Sequence, residues 1–359
     1  MNPSEHELHY PWTEPPAAGA WVTLRPGLHW VRMPLPFALD HINLWVLDDE
    51  IEGRTGFTII DSGIASAETK AAWERVFDGL FDGRPLLRQI CTHFHPDHFG
   101  LAHWLTTGGD HARWTARLWM TAAEYAIGRF LALGGGDISG DGAAEHFRRN
   151  GLADEASLAK VRARGANYYP KLVPTVPQQY HRIQDDDEIV VGPAHARRVF
   201  RVIVGFGHAP EHASLYCEEE RFLIAGDMVL PRISTNVSVF DVEPDGNPLP
   251  RYLRSLDQLL RLPADTLVLP SHGKPFTGLH ERIAQQHRHH RERLAEVLAA
   301  CATPQTAATI VPVLFRRELD LHQTTFALGE SLAHLHALWY DGALERRTVD
   351  GVFQFEAAH

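Results

Sequence analysis

The sequence is poor in sulfur: its 359 residues hold 3 cysteines and 4 methionines. Cys91, Cys217 and Cys301 are scattered, odd in number and form no C-x-x-C pair. Neither a disulfide framework nor a thiolate zinc site is expected. Long apolar runs are also missing, so no transmembrane helix is expected. Met1–Pro16 is polar and proline-rich, without the basic-then-apolar order of a signal peptide, and a soluble cytoplasmic protein is the expectation. Positive charge is in deficit. Lys and Arg number 34 against 45 Asp and Glu, a formal net charge of −11. Nucleic acid and anionic membrane both repel such a chain on average. The hydrophobic share of 44% and charged share of 22% are those of a globular chain and exclude wholesale disorder.

Histidine is abundant, at 23 residues. It is the commonest metal ligand and titrates near neutrality, so metal or acid–base chemistry gains weight. Strand and helix patterns alternate in the first third. His41–Leu47 and Gly56–Asp61 read as strands, and Ser66–Phe81 as a helix capped by Ser66 with Ala72, Val76 and Leu80 on one face. Leu86–His93 reads as a strand, His98–Thr107 as a helix and Ala116–Thr121 as a strand. Such alternation predicts an α/β layered fold. Thr121–Tyr180 is helical instead, broken at Gly134–Gly136, and reads as an insertion. Strands resume from Arg182 to Asp227, with the spacing of one antiparallel-rich sheet. A helix over Pro250–Leu262 and a strand over Asp265–His272 follow. Beyond lie a helix over Gly278–Ala300, two more around Thr306–Phe315 and Thr325–Tyr340, and a hairpin over Leu344–Glu356 turning at Asp350-Gly351. Three helices closed by a hairpin is the pattern of a winged helix. The expected domains are residues 1–277, with the insertion at about 121–180, and residues 278–359.

The string Thr92-His93-Phe94-His95-Pro96-Asp97-His98 falls where a strand ends and a helix begins. Residues two apart on a strand point to the same side, so His93 and His95 can converge on one cation. Asp97 and His98, at the helix start, can turn to a second. Two imidazoles and one further ligand leave a tetrahedral position open for water. The plain alternative is a chance cluster in a histidine-rich chain. It loses ground to three later strand ends: Gly205–His212 places His208, Phe222–Asp227 ends in an acid, and Leu267–Gly273 delivers His272.

In this order the motifs resemble the metallo-β-lactamase superfamily, over about Trp21 to Phe276. The resemblance implies an α/β fold, a four-layer αββα sandwich with a helical insertion, and a small C-terminal winged-helix-like domain. It implies His93, His95 and His208 as ligands of a first metal, Asp97, His98 and His272 as ligands of a second, and Asp227 as the bridge. Asn43 and Asp61 fall where members often have supporting residues, and Asp61 is expected to orient ligands. True β-lactamases of this fold commonly place another residue at His98 or a Cys at Asp227. The chain is therefore similar to the glyoxalase II-like and lactonase-like branches. Glu211 stands where glycine is usual. His95, in place of Glu, disfavours the flavodiiron branch.

The implied activity is hydrolysis of an ester, thioester or lactone. Two divalent cations would lower the pKa of a shared water, and Asp97 would orient the hydroxide and pass a proton to the leaving group. A His-and-carboxylate ligand set makes zinc the first expectation, with iron and manganese as alternatives. Two rival readings remain: a nuclease or winged-helix nucleic-acid-binding metallohydrolase, and a mononuclear iron persulfide dioxygenase-type oxidoreductase. Nucleic acid is disfavoured, because the expected recognition helix in Ala327–Gly342 carries no Lys or Arg. The basic run His287–Arg293 reads as a solvated face, and the histidines over His280–His290 are expected at the surface. Tyr168 in the insertion and Asn236 after the bridging acid are the substrate-contact candidates, with Tyr169 and Lys171 beside Tyr168. A small-molecule substrate and no membrane partner are expected; a homo-oligomer is left open.

Overall fold

The computed structural model describes residues 2–106, 116–134, 140–165 and 168–358. Gly135 and Gly136 of the expected helix break, and Thr107 of the expected helix end, lie outside the described residues. Two sheets form the frame. The first runs β1 (Trp21–Arg25), β2 (Leu28–Pro34), β3 (His41–Ile51), β4 (Arg54–Ile60), β5 (Leu86–Ile90), β6 (Arg117–Met120) and β7 (Tyr180–Arg182) in spatial order. The second runs β8 (Glu188–Val191), β9 (Arg198–Gly205), β10 (His212–Cys217), β11 (Phe222–Gly226) and β12 (Leu267–Pro270), again in neighbour order. β1 to β4 form an antiparallel meander, and β5 to β7 add in parallel. β12 pairs in parallel with β11 in an otherwise antiparallel second sheet.

The central strands of each sheet are buried on both faces, and the strand period of two divides their side chains between two cores. Leu28 and Trp30 of β2 and Trp45 and Leu47 of β3 point between the sheets, against Phe200, Leu215, Phe222 and Ile224. The alternate residues Val31, Met33, Leu44 and Val46 face outward onto Trp73, Val76 and Phe77. Those come from α1 (Ala67–Val76) and the wider π turn Phe77–Phe81 that continues it. The Ser66 hydroxyl accepts from Thr69 N at 3.1 Å and caps α1 as the sequence predicts. The second sheet sends Ile203, Tyr216, Leu223 and Val268 outward onto Leu249, Tyr252 and Leu256. The result is a helix–sheet–sheet–helix stack.

Several boundaries differ from the sequence reading. The expected helix over His98–Thr107 is two short helices, α2 (Pro96–Phe99) and α3 (Ala102–Thr106). The strand expected over His41–Leu47 runs on to Ile51, because Asp49 is buried there beside Arg88, with Oδ2 2.7 Å from Nη2. The segment at Arg182 joins the first sheet, parallel to β6, and not the antiparallel second sheet. It is the return strand of the insertion, which consists of α4 (Ala122–Ala132), α5 (Asp141–Arg149), α6 (Glu155–Arg164) and α7 (Tyr168–Leu172). A parallel neighbour needs such a crossover.

The C-terminal elements follow α8 (Pro248–Leu259): α9 (Leu279–Ala300), α10 (Ala307–Leu314), α11 (Leu321–Tyr340) and the hairpin β13 (Leu344–Val349) with β14 (Val352–Ala357). Asp350 and Gly351 have φ of 51° and 78°, the left-handed pair that a two-residue hairpin turn requires. Leu279, Ile283, Leu328 and Leu332 pack in the same cluster as Leu249 and Tyr252. The core is therefore continuous across residues 277 and 278. The histidines of α9 are not a surface set: His290 is fully buried, with Nδ1 3.2 Å from His334 Nε2.

Two stability predictions follow from buried charge. Arg88 binds Asp49, the Thr58 hydroxyl at 3.0 Å and the Val190 carbonyl at 2.9 Å, tying the two sheets. Arg88→Ala leaves Asp49 buried and unpaired, and urea unfolding is expected to show a loss of about 3–5 kcal/mol. Burial pushes the Glu330 carboxyl on α11 up to about 7. Its folded pKa lies above the unfolded value, so its contribution is highest in acid and is lost as pH rises through about 7. Glu330→Gln removes this dependence. The stability of the variant relative to the parent should therefore rise by about 3 kcal/mol between pH 4 and 8.

Candidate metal centre

Four loops leave the same end of the two sheets and meet. β5 ends at Ile90, so His93 and His95 lie past the strand, in the loop that turns into α2. Their convergence comes from this loop and not from strand alternation. His95 Nδ1 lies 2.9 Å from His93 Nε2, and His208 Nε2 lies 3.2 Å from the same atom. His208 follows β9, Asp227 follows β11 and His272 follows β12. Asp227 Oδ2 is 3.5 Å from His208 Nε2 and 3.6 Å from His98 Nε2, while its Oδ1 is 3.5 Å from His272 Nε2. Asp97 Oδ2 is 3.3 Å from His272 Nε2 and 3.5 Å from His98 Nε2. Among the described residues, three groups have donor atoms within 4.8 Å of one another: His93, His95 and His208; His93, His98 and Asp227; and Asp97, His98 and His272. All seven residues named from the sequence are thus brought together.

The histidines are oriented from behind. Asp61 holds φ of 64° at the end of β4, a left-handed backbone uncommon for a residue with a side chain. Its Oδ1 accepts from Thr92 N at 2.8 Å and its Oδ2 contacts His98 Nδ1 at 2.8 Å. The Thr92 hydroxyl donates to Asp61 at 2.9 Å and sits 3.0 Å from His93 Nδ1, which must then carry the proton. His208 Nδ1 donates to the Asn236 carbonyl at 2.7 Å, and His272 Nδ1 to the His41 carbonyl at 2.8 Å. A carbonyl only accepts, so each Nε2 keeps its lone pair for the cluster. Asn43 secures the His272 loop, donating to Pro270 O and Gly273 O at 2.9 Å each while accepting from Trp30 Nε1 at 2.8 Å.

Burial, then the neighbouring histidines, pull His93 well below the usual histidine value. Burial and His208 pull His95 down to about 3. These rings are neutral donors. Burial also lowers His272 and His98, but the acids outweigh it. Asp227 and Asp97 push His272 up to about 10, and Asp97, Asp61 and Asp227 raise His98. Burial would raise the two carboxyls, yet His98 and His272 bring Asp97 down to about 2 and hold Asp227 well below the usual range. The cluster therefore favours positive charge at its centre. His98 Nε2 and Asp227 Oδ1 are buried with no hydrogen-bond partner. Buried polar atoms are normally satisfied, and a divalent cation on nitrogen and carboxylate donors fits these two. The Asp97 side chain is 20% exposed while that of His98 is 0%, so Asp97 faces the solvent side.

The substrate-contact candidates fall differently. Tyr168 opens α7 and is half-buried. Its neighbour Tyr169 reaches the motif, donating its hydroxyl to Phe94 O at 2.5 Å. The Asn236 carbonyl holds His208, and its side-chain oxygen accepts from the Ser238 hydroxyl at 2.8 Å. Sequence reasoning missed two residues. His212 Nε2 accepts from Asp227 N at 3.1 Å, and a Cβ on Gly226 would collide with that nitrogen, so the bend before the acid needs glycine. The other is Glu124, fully buried beside the motif. Burial pushes its carboxyl up to about 7, against the pull of two backbone amides. In the sequence it is an ordinary first-turn acid.

Comparison with known proteins agrees with this geometry. Residues 39–272 match the family described as Metallo-beta-lactamase superfamily, and residues 294–358 match Metallo-beta-lactamase-like, C-terminal domain. A beta-lactamase domain protein from Burkholderia ambifaria is 54% identical, with 99% of each chain covered and a TM-score of 0.92. The metallo-beta-lactamase family protein TTHA1429 from Thermus thermophilus is 29% identical, with 94% of this chain and 100% of that chain covered and a TM-score of 0.75. The Bacillus subtilis (strain 168) protein named probable metallo-hydrolase YqjP is 29% identical over 147 residues. That stretch is 38% of this chain and 44% of YqjP, less than half the curated relative's length. The chain belongs to the metallo-β-lactamase superfamily and carries that family's C-terminal domain.

Proposed function

We propose that the chain is a metal-dependent hydrolase of small-molecule esters, thioesters or lactones, built around two divalent cations, with zinc first among zinc, iron and manganese. The observation that carries this reading is the position of Asp227. One of its oxygens faces His208 and His98 and the other faces His272, so it sits between a three-histidine donor group and the group of Asp97, His98 and His272. The two cations, once bound, supply an activated water and polarise the scissile oxygen.

The chain's own residues do the rest. His93, His95 and His208 offer neutral nitrogens, and Asp61 and the carbonyls of Asn236 and His41 hold rings in the donating tautomer. Asp97, the solvent-side acid, orients the attacking water and carries a proton on a carboxylate oxygen to the leaving group. His98 and Asp227 favour the glyoxalase II-like and lactonase-like branches over true β-lactamases. The three helices and hairpin after residue 278 read as a winged-helix-like module. Most of α11 from Ala327 to Leu338 is buried, which supports a packing role over insertion into a nucleic-acid groove.

Metal analysis followed by an ester, thioester, lactone and phosphodiester panel tests this function. Two equivalents of zinc and turnover of a carbonyl ester class are expected; a single iron per chain points to the oxygenase-type reading instead. His93→Ala and Asp97→Ala should each lose metal together with about 10²–10⁴-fold in kcat/KM. Activity that survives complete chelation would sink the reading.

A further inference from the structure

Glu124 stands in the first turn of α4 and takes no part in the donor groups. Its two oxygens accept from backbone amides on separate loops: Oε2 from Phe94 N at 2.9 Å and Oε1 from Glu211 N at 2.6 Å. Phe94 lies between His93 and His95, and Glu211 lies on the loop that carries His208. Neither amide belongs to a strand ladder, since β5 ends at Ile90, β9 at Gly205, and β10 begins only at His212. The contact is reciprocal. The Glu211 carboxylate accepts from Ala123 N at 3.0 Å, and its carbonyl accepts from the Thr121 hydroxyl at 2.8 Å. Glu211 thereby caps α4, whose own N-cap, Thr121, makes no side-chain capping bond. Helix and motif also meet closely. A Cβ on Gly128 would lie 2.8 Å from the Phe99 ring and 3.2 Å from Phe94 Cβ.

We infer that Glu124 is a positioning residue for the His93, His95 and His208 donor group, fixing the spacing of the two loops that supply it, with Glu211 locking the helix from which it reaches. This rests on the two-cation reading above. Asp61 serves both groups, holding His98 directly and His93 through Thr92, but the His41 carbonyl and Asn43 stand behind His272 of the second group alone. The two groups are therefore separable by mutation. A glutamine at 124 offers one acceptor and one donor to two N–H donors, so in either orientation one backbone amide faces an NH2 group. Losing an outer contact of this kind typically costs about 10–100-fold in metal affinity.

The test is zinc titration of the full chain against a chromophoric chelator, with cobalt(II) absorption spectra as a second readout. The proteins are the parent, Glu124→Gln, Asn43→Ala and the double variant. The parent should bind two equivalents. Glu124→Gln should weaken one of them by about 10–100-fold and leave the other at the parent's affinity. Asn43→Ala should weaken the equivalent that Glu124→Gln spares, because Asn43 holds only the His272 loop, and the double variant should weaken both. The two single variants should change different bands of the cobalt spectrum. Circular dichroism confirms the fold, and Glu124→Asp, too short to reach both amides, replaces Glu124→Gln if that protein does not fold. Parent-like affinity at both sites in the Glu124 variants, or equal weakening of both with the fold intact, overturns the inference and leaves the two-cation reading standing. A parent that binds fewer than two equivalents overturns both.

Discussion

Two ionised carboxylates buried among imidazoles are the constraint on which the rest of this molecule depends. Asp97 and Asp227 are taken out of most of their water, and an ionised acid in such a place is costly unless opposite charge is near. The fold answers by closing three imidazole edges on Asp227 and two on Asp97. The same field sorts the histidines. His98 and His272, each facing both acids, become more basic, while His93, His95 and His208 become less so. One electrostatic decision thus produces a centre with two unlike halves.

Holding that centre together is harder than forming it, because the donors sit on loops. A strand ladder fixes backbone to within a fraction of an ångström, but every ladder here stops short of the donors. The chain substitutes side-chain to backbone bonds. Asp61 holds Thr92, Asn43 holds Pro270 and Gly273, and Glu124 holds Phe94 and Glu211. The side chains of Asp61, Asn43 and Glu124 are buried, so each is unsatisfied if its loop moves, and the cost of that motion keeps the loops in place. The close approaches that require glycine at 128 and 226 follow from the same crowding.

Much of this is legible in the sequence. The α/β layering follows from alternating strand and helix patterns, the αββα order follows from the family resemblance, and the donors follow from His and Asp at successive strand ends. Asp61 reads correctly as an orienting residue. The illegible parts share a cause. Glu124 and His212 look ordinary because their importance lies in what folds against them, residues far off in sequence. Asp49 hides the end of β3, because an acid reads as a turn until its buried partner Arg88 is known. The histidines of α9 carry a solvated pattern, yet the helix turns His290 inward onto His334. Asn236 stands out for its position, but its carbonyl, a group every residue has, makes the contact with His208.

That carbonyl links metal chemistry to architecture. Gly329 of α11 accepts from Val239 N at 3.1 Å, and a Cβ on it would lie 2.8 Å from Ser238 Cβ. The segment so braced begins at the residue that orients His208. The C-terminal helices are therefore not a passenger appended to a finished catalyst. They form the outer wall of a vice whose inner jaw is an imidazole of the three-histidine donor group. A shift of the tail at Gly329 is therefore passed to the Asn236 carbonyl, and from it to the tilt of the His208 ring, without touching a single donor.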